Sequence, residues 1–327
     1  MLVFFKKNSL GITVLLLLLT SNSIAIANPI VPELPSVFKG ELGPFDKKKK
    51  YMGKRDLFPR NLKSRNYEKA NLTRADLRRV NLEESELSGA NFNKANLHGA
   101  NLSSANMRNA SLANAELIRA NLSFSNLSKA NLSGANLAYA NFHKADLSGA
   151  ALKKARLIGA RFSSANLKKG SLVGAKLDHA DFSQADLKQA NCNRAFFDSS
   201  QFYRTDFSGA SFVNAKIFGS YFNKANFSKA NLNGAKLRGS SFELTNFSGA
   251  SMLGADISGA NLKYAINFSC EQLFSTKLFD RQSTVTPINL TVEWTGEVEY
   301  TCKVNLCADV ANAEGDLNKR MIAKACK

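Results

Sequence analysis

The side chains best suited to acid–base or metal chemistry at neutral pH are three histidines, His98, His143 and His179. None has a second His or a Cys placed to share a metal with it, so a metal site is not expected. Asp178, His179 and Asp181 bring carboxylates beside an imidazole, but in a chain so rich in Ser and Asp such neighbours arise by chance. Glu83, Glu84 and Glu86 stand close to Arg78 and Arg79, which reads as a solvated ion-pair network rather than an acid/base pair. Neither G-x-x-x-x-G-K nor G-x-G-x-x-G occurs, so no phosphate-cradling loop is expected. These absences point away from an enzyme, a cofactor and a small-molecule substrate.

The attraction of anions is better represented. The chain carries 44 Lys+Arg against 26 Asp+Glu, a formal charge of +18 over 327 residues. Residues 151–177 concentrate it, with Lys153, Lys154, Arg156, Arg161, Lys168, Lys169 and Lys176 and no Asp or Glu among them. Such a belt could hold an anionic polymer, a membrane surface or an acidic protein through contacts that are individually weak and screened by salt. The competing reading is a structural spacer whose charge only keeps it soluble.

What positions these cations is a five-residue clock. Every residue from 62 to 262 whose number ends in 2 or 7 is Leu, Phe, Ile, Met, Tyr or Cys, which makes 41 consecutive repeats without an insertion. Two residues before each centre stands a small side chain, as at Ala70, Ala75 and Ala90, and between them Asn or Asp is commonest, as at Asn71, Asp76 and Asn91. Five residues turn an α-helix by about 500° and flip a plain strand, so neither could keep these centres on one face. If small and central residues both point inward, three residues form a short extended segment and two form a corner. Glycines gather at the second corner position, for example Gly89, Gly99 and Gly134, as a turn with φ > 0 requires. The cations of the belt all fall at outward positions.

The A-N-L-x-x pattern resembles the pentapeptide repeat family over about 205 of the 327 residues. The resemblance implies an all-β solenoid, a right-handed quadrilateral β-helix of about ten coils with four repeats per coil. Phe142, Phe162, Phe182, Phe202, Phe222 and Phe242 recur at the spacing of twenty that four sides would stack, and Phe207, Phe227 and Phe247 form a second such series. Acidic family members mimic DNA and block type II topoisomerases. That activity is not expected here, because a basic groove would repel this chain.

The ends add compartment and assembly. Lys6 and Lys7, the apolar run Leu10 to Leu19, and Ala25-Ile26-Ala27 follow the order of a signal peptide over residues 1–27, with export to a bacterial periplasm or exterior. Residues 28–59 read as a basic, Pro-containing lead-in, residues 60–264 as the repeat domain, and residues 265–327 as a cap and tail. Ser269 and Gln272 form an S-x-x-Q pair that would start a short helix over the end of the core. Four clustered cysteines, Cys270, Cys302, Cys307 and Cys326, would make two disulfides in an exported chain, in any of three connectivities; Cys192 occupies a central, buried position. Outward apolar residues Phe196, Tyr203, Val213, Phe218 and Tyr221 make a homodimer surface possible.

Overall fold

The computed structural model describes residues 61–269 together with Gln272, Ser275 and Thr276. The signal peptide, the lead-in, and Cys270, Cys302, Cys307 and Cys326 lie outside the described residues. Parallel bridges join each outward residue to the one twenty positions later, from Asn61↔Asn81 through to Asn246↔Ile266. Each coil therefore holds four repeats, and about ten coils stacked at roughly 4.8 Å make a β-helix about 50 Å long.

The pattern follows from a complete use of backbone hydrogen-bonding groups. Around central Leu97, the Asn96 N–H donates to Ala75 O in the coil before (2.9 Å), and the Leu97 N–H donates to Glu116 O in the coil after (2.7 Å). Gly99 donates to Ile118 O (2.9 Å), again in the next coil, and Ala100 closes the corner on Leu97 O (2.9 Å). One donor is left over, the N–H of the first corner residue. Asn96 Oδ1 takes it, from His98 N at 3.1 Å. Asn or Asp is thus preferred between the small and central residues because it supplies an oxygen that the backbone lacks.

Three variants of the rule support this reading. Where Ser111, Ser211 and Ser251 replace the Asn, an Asn eighteen residues earlier substitutes for it. Asn93, Asn193 and Asn233 accept both the Ser hydroxyl (2.6, 2.6 and 2.7 Å) and the N–H of Ala113, Val213 and Leu253 (2.9, 2.9 and 3.0 Å).

The corner also fixes the backbone. All 41 second corner residues from Ser64 to Tyr264 have φ between 52° and 69°, and 28 of them are not glycine. The glycine preference seen in the sequence therefore marks a conformation that lysines, arginines and even Phe124 adopt as well, because stacking on both sides leaves no alternative. At the corners of Ser200 and Ser220 the closing bond is absent. There Ser200 and Ser220 donate N–H to the hydroxyls of Ser220 and Ser240 (3.1 and 3.2 Å), and the segments lengthen into strands β1 (Phe196–Asp198) and β2 (Lys216–Phe218). These pair in parallel, Phe196 opposite Lys216.

Inside, alanines and central residues make one continuous core. The Phe142 to Phe242 series stacks with ring centroids 4.5–5.4 Å apart, and Phe207, Phe227 and Phe247 stack at 4.8 and 5.7 Å. Buried hydroxyls at alanine positions reach back one coil, as from Thr205 Oγ1 to Phe182 O (2.7 Å) and Thr245 Oγ1 to Phe222 O (2.6 Å). Cys192 is a fully buried free thiol whose pKa is pushed up by desolvation. Among the described residues no helix is long and apolar enough to cross a membrane.

At the far end the S-x-x-Q pair closes on itself: Ser269 N donates to Gln272 Oε1 (2.7 Å) and Gln272 N to Ser269 Oγ (3.1 Å). The Gln272 amide also donates to the carbonyls of Phe247 and Ala250, both at 2.8 Å. Phe268 sets its ring edge-on against Phe247 at 5.4 Å.

Candidate functional site

Four outward columns run the length of the coil. Face 1 carries Asn61 and every twentieth residue after it, face 2 starts at Asn66, face 3 at Asn71 and face 4 at Asp76. Period twenty pairs residues differently from sequence proximity. Glu83 and Glu84 meet Lys63 of the coil below (3.3 and 3.5 Å), not Arg78 or Arg79, while Arg78 is bound to Asp76. His143 Nδ1 contacts Ser163 Oγ at 2.9 Å, and no cluster of three or more His, Cys, Asp or Glu suited to a metal occurs among the described residues.

The seven cations of residues 151–177 form a girdle rather than a patch. Lys153 and Lys154 turn the corner between faces 3 and 4, Arg156 and Lys176 are bridge partners on face 4, and Arg161 lies on face 1. Lys168 and Lys169 turn the corner between faces 2 and 3, where Lys168 pairs with Asp186 at 3.2 Å. No flat or linear partner could touch all seven together.

Face 4 assembles a different set. Its successive rungs are Arg156, Lys176, Phe196, Lys216 and Lys236, joined by unbroken parallel bridges. The four cations are exposed, and the Lys216 ammonium lies 4.9 Å from the centre of the Phe196 ring. At the rise of a parallel ladder the column is about 19 Å long. It contains no acid between Glu116, two rungs below, and Asp256, one rung above. Asp178 and Asp198 flank it on the corner towards face 1, and Lys153, Lys154 and Arg194 on the corner towards face 3.

None of the five side chains carries an oxygen for the corner N–H that Asn serves elsewhere. Below them, Asn136 Oδ1 is a buried oxygen with no hydrogen-bond partner: it takes neither the N–H of Ala138 nor an amide from the rung above, where Arg156 stands. The column therefore gives up local hydrogen bonding. Lys216, Lys236 and Phe196 escape a reading based on sequence windows; reading outward residues twenty apart would have aligned them.

Face 2 shows the opposite use of charge. Asp186 and Asp206 pair with Lys188 at 4.0 and 3.1 Å. Desolvation alone would raise the Asp206 pKa, but bonds from Ser208 and Lys188 outweigh it and hold the carboxyl below its ordinary 3.8.

The fold and its faces thus define a β-solenoid of five-residue rungs with one unneutralised cationic column. The chain belongs to the pentapeptide repeat family: the family model for pentapeptide repeats matches residues 70–109, 115–153, 145–184, 180–219 and 225–263. Among solved structures it is similar to HetL, a pentapeptide repeat protein involved in heterocyst differentiation regulation from the cyanobacterium Nostoc sp. strain PCC 7120. The identity is 29%, covering 64% of this chain and 92% of HetL, with a TM-score of 0.55. A trypsin-treated QnrB1, a plasmid-mediated fluoroquinolone resistance protein, is 18% identical over 54% of this chain and 89% of its own, with a TM-score of 0.48. Among curated proteins no sequence matches this chain.

Proposed function

We propose that this chain is a non-enzymatic binding scaffold that holds a linear polyanion along face 4. The observation that carries the reading is the replacement of Asn by Arg156, Lys176, Phe196, Lys216 and Lys236 on five consecutive rungs. Local rules of a fold are broken chiefly where function requires it. A thread fits the column better than a plane does, because an anionic membrane laid on face 4 would also meet Asp178 and Asp198.

The N-terminal order of basic, apolar and small residues supports export, so the partner belongs to the cell envelope or exterior. In that setting the tail cysteines Cys270, Cys302, Cys307 and Cys326 form two disulfides, and the segment from Ser269 covers the end of the core. N-terminal sequencing and thiol counting of the native protein check both; an intact Met1 or five free thiols would overturn them.

Retention tests the binding reading. On a sulfated polysaccharide matrix the protein should elute with a steep salt dependence, and it should bind anionic liposomes less strongly at matched ionic strength. Stronger retention by liposomes would favour a membrane partner, and no retention at low salt would leave the spacer reading.

A further inference from the structure

A second departure from the repeat lies on face 1. Gln201, Tyr221 and Ser241 replace Asn on three consecutive rungs, and a shallow groove of about 520 Å³ opens beside them. It is lined by Gln201, Tyr203, Tyr221, Asn223, Lys224, Glu243 and Leu244.

Asn223 and Ser241 repeat the spacing of the three substitute pairs, eighteen residues apart, yet the substitution is not made here. The Asn223 amide instead donates to Glu243 Oε2 at 3.4 Å, and its Oδ1, covered by neighbours, makes no hydrogen bond. Tyr221 is 57% exposed, and Lys224 lies 5.6 Å from the centre of the Tyr203 ring. Lys224 and Glu243 form no ion pair among the described residues, although they line the same groove.

We infer that this groove binds an oligosaccharide. A pyranose ring has an apolar C–H face and a rim of hydroxyls that both donate and accept. Tyr221 offers an open aromatic face for the first. Gln201, Glu243 and Lys224 supply acceptors and donors for the second. Other ligand classes fit poorly. A phosphate would face the Glu243 carboxylate, and a lipid would find Leu244 as the one aliphatic wall. A peptide strand could not add to the rungs, because the coils above and below already bond them, as Tyr221 N to Ser200 O (2.9 Å) and Phe222 N to Ser241 O (2.7 Å). The groove is independent of the polyanion reading, since it shares no residue with face 4.

Saturation-transfer NMR and calorimetry on the full chain with chitotriose, cellotriose and maltotriose test the assignment. At least one trisaccharide should bind, with affinity reduced about tenfold or more in Tyr221→Ala and Gln201→Ala. Tyr221→Phe should keep most of it, because the ring remains. Lys216→Glu on face 4 should leave it unchanged. No binding of any of the three at about 10 mM, or an affinity in Tyr221→Ala and Gln201→Ala equal to that of the unaltered chain, would overturn the inference.

Discussion

Asn61, Asn81, Asn101, Asn121 and Asn141 on face 1, and Arg156, Lys176, Phe196, Lys216 and Lys236 on face 4, are each five consecutive rungs at the same repeat position. They use that position in opposite ways. On face 1 each Asn from 81 to 141 donates its amide to the Asn before it at 3.2–3.3 Å, and Asn101 and Asn121 accept the corner N–H at 3.2 Å. That ladder turns its polar capacity inward and leaves little for a partner. On face 4 the same backbone carries side chains that cannot serve the corner, and their charges face solvent. A solenoid with an invariant core can therefore give each stretch of each face either to its own hydrogen bonding or to exposed charge.

Both faces rest on the same core, so the largest effect should come from disturbing it. Phe202 stacks between Phe182 (5.4 Å) and Phe222 (4.5 Å), so Phe202→Ala should cost about 3–5 kcal/mol in urea unfolding. A loss under about 1 kcal/mol would mean that the stack is not what holds the coils in register. On face 1, Asn101→Ala removes the acceptor for Ser103 N (3.2 Å), Ser103 Oγ (2.7 Å) and Asn121 Nδ2 (3.3 Å), and should cost about 1–3 kcal/mol.

On face 4 the sign should reverse. Arg156→Asn would extend the ladder, donating to the unpaired Asn136 Oδ1 and offering an oxygen to the N–H of Ile158. It should stabilise the fold by about 0.5–1.5 kcal/mol while weakening retention on an anionic matrix. Destabilisation would mean that face 4 gives up nothing for its charge.

Acid should distinguish the acidic rungs from the cationic ones by a smaller margin. The Asp206 carboxyl lies below 3.8 when folded, so its stabilising contribution is present above that pH and is lost as the pH falls through the folded value. The pair is partly exposed and screened by solvent, so Lys188→Ala should lower stability only slightly at neutral pH and flatten the acid limb below pH 4. The smallest effect belongs to the corners: Lys154→Ala should change stability by no more than about 0.5 kcal/mol, since the residue is exposed and already at φ 56°.

How far these features were legible in the sequence follows from their range. The core was readable because central residues recur without a break, and the Phe142 to Phe242 series displays the period of twenty directly. The Ser269–Gln272 pair was readable because both of its bonds are local. The part played by Asn96 and its equivalents was not, because it depends on which N–H the coil leaves unpaired. Nor was face 4, since Lys176, Phe196 and Lys216 are neighbours only after the chain has wound once around. Charge counted along a window of sequence gave a girdle over residues 151–177, whereas the coil stacks Arg156, Lys176, Lys216 and Lys236 into a column.

If face 4 holds the polyanion, retention depends on where the cations stand rather than on how many there are. Two variants of equal charge test it: Arg156, Lys176, Lys216 and Lys236 reversed to Glu on face 4, against Arg108, Lys129, Lys169 and Lys229 reversed to Glu on the corner between faces 2 and 3. Salt-gradient elution of both from a sulfated polysaccharide matrix, with the unfolding midpoint measured alongside, should show retention abolished in the first and largely kept in the second. Equal losses in the two variants would return face 4 to general solubility.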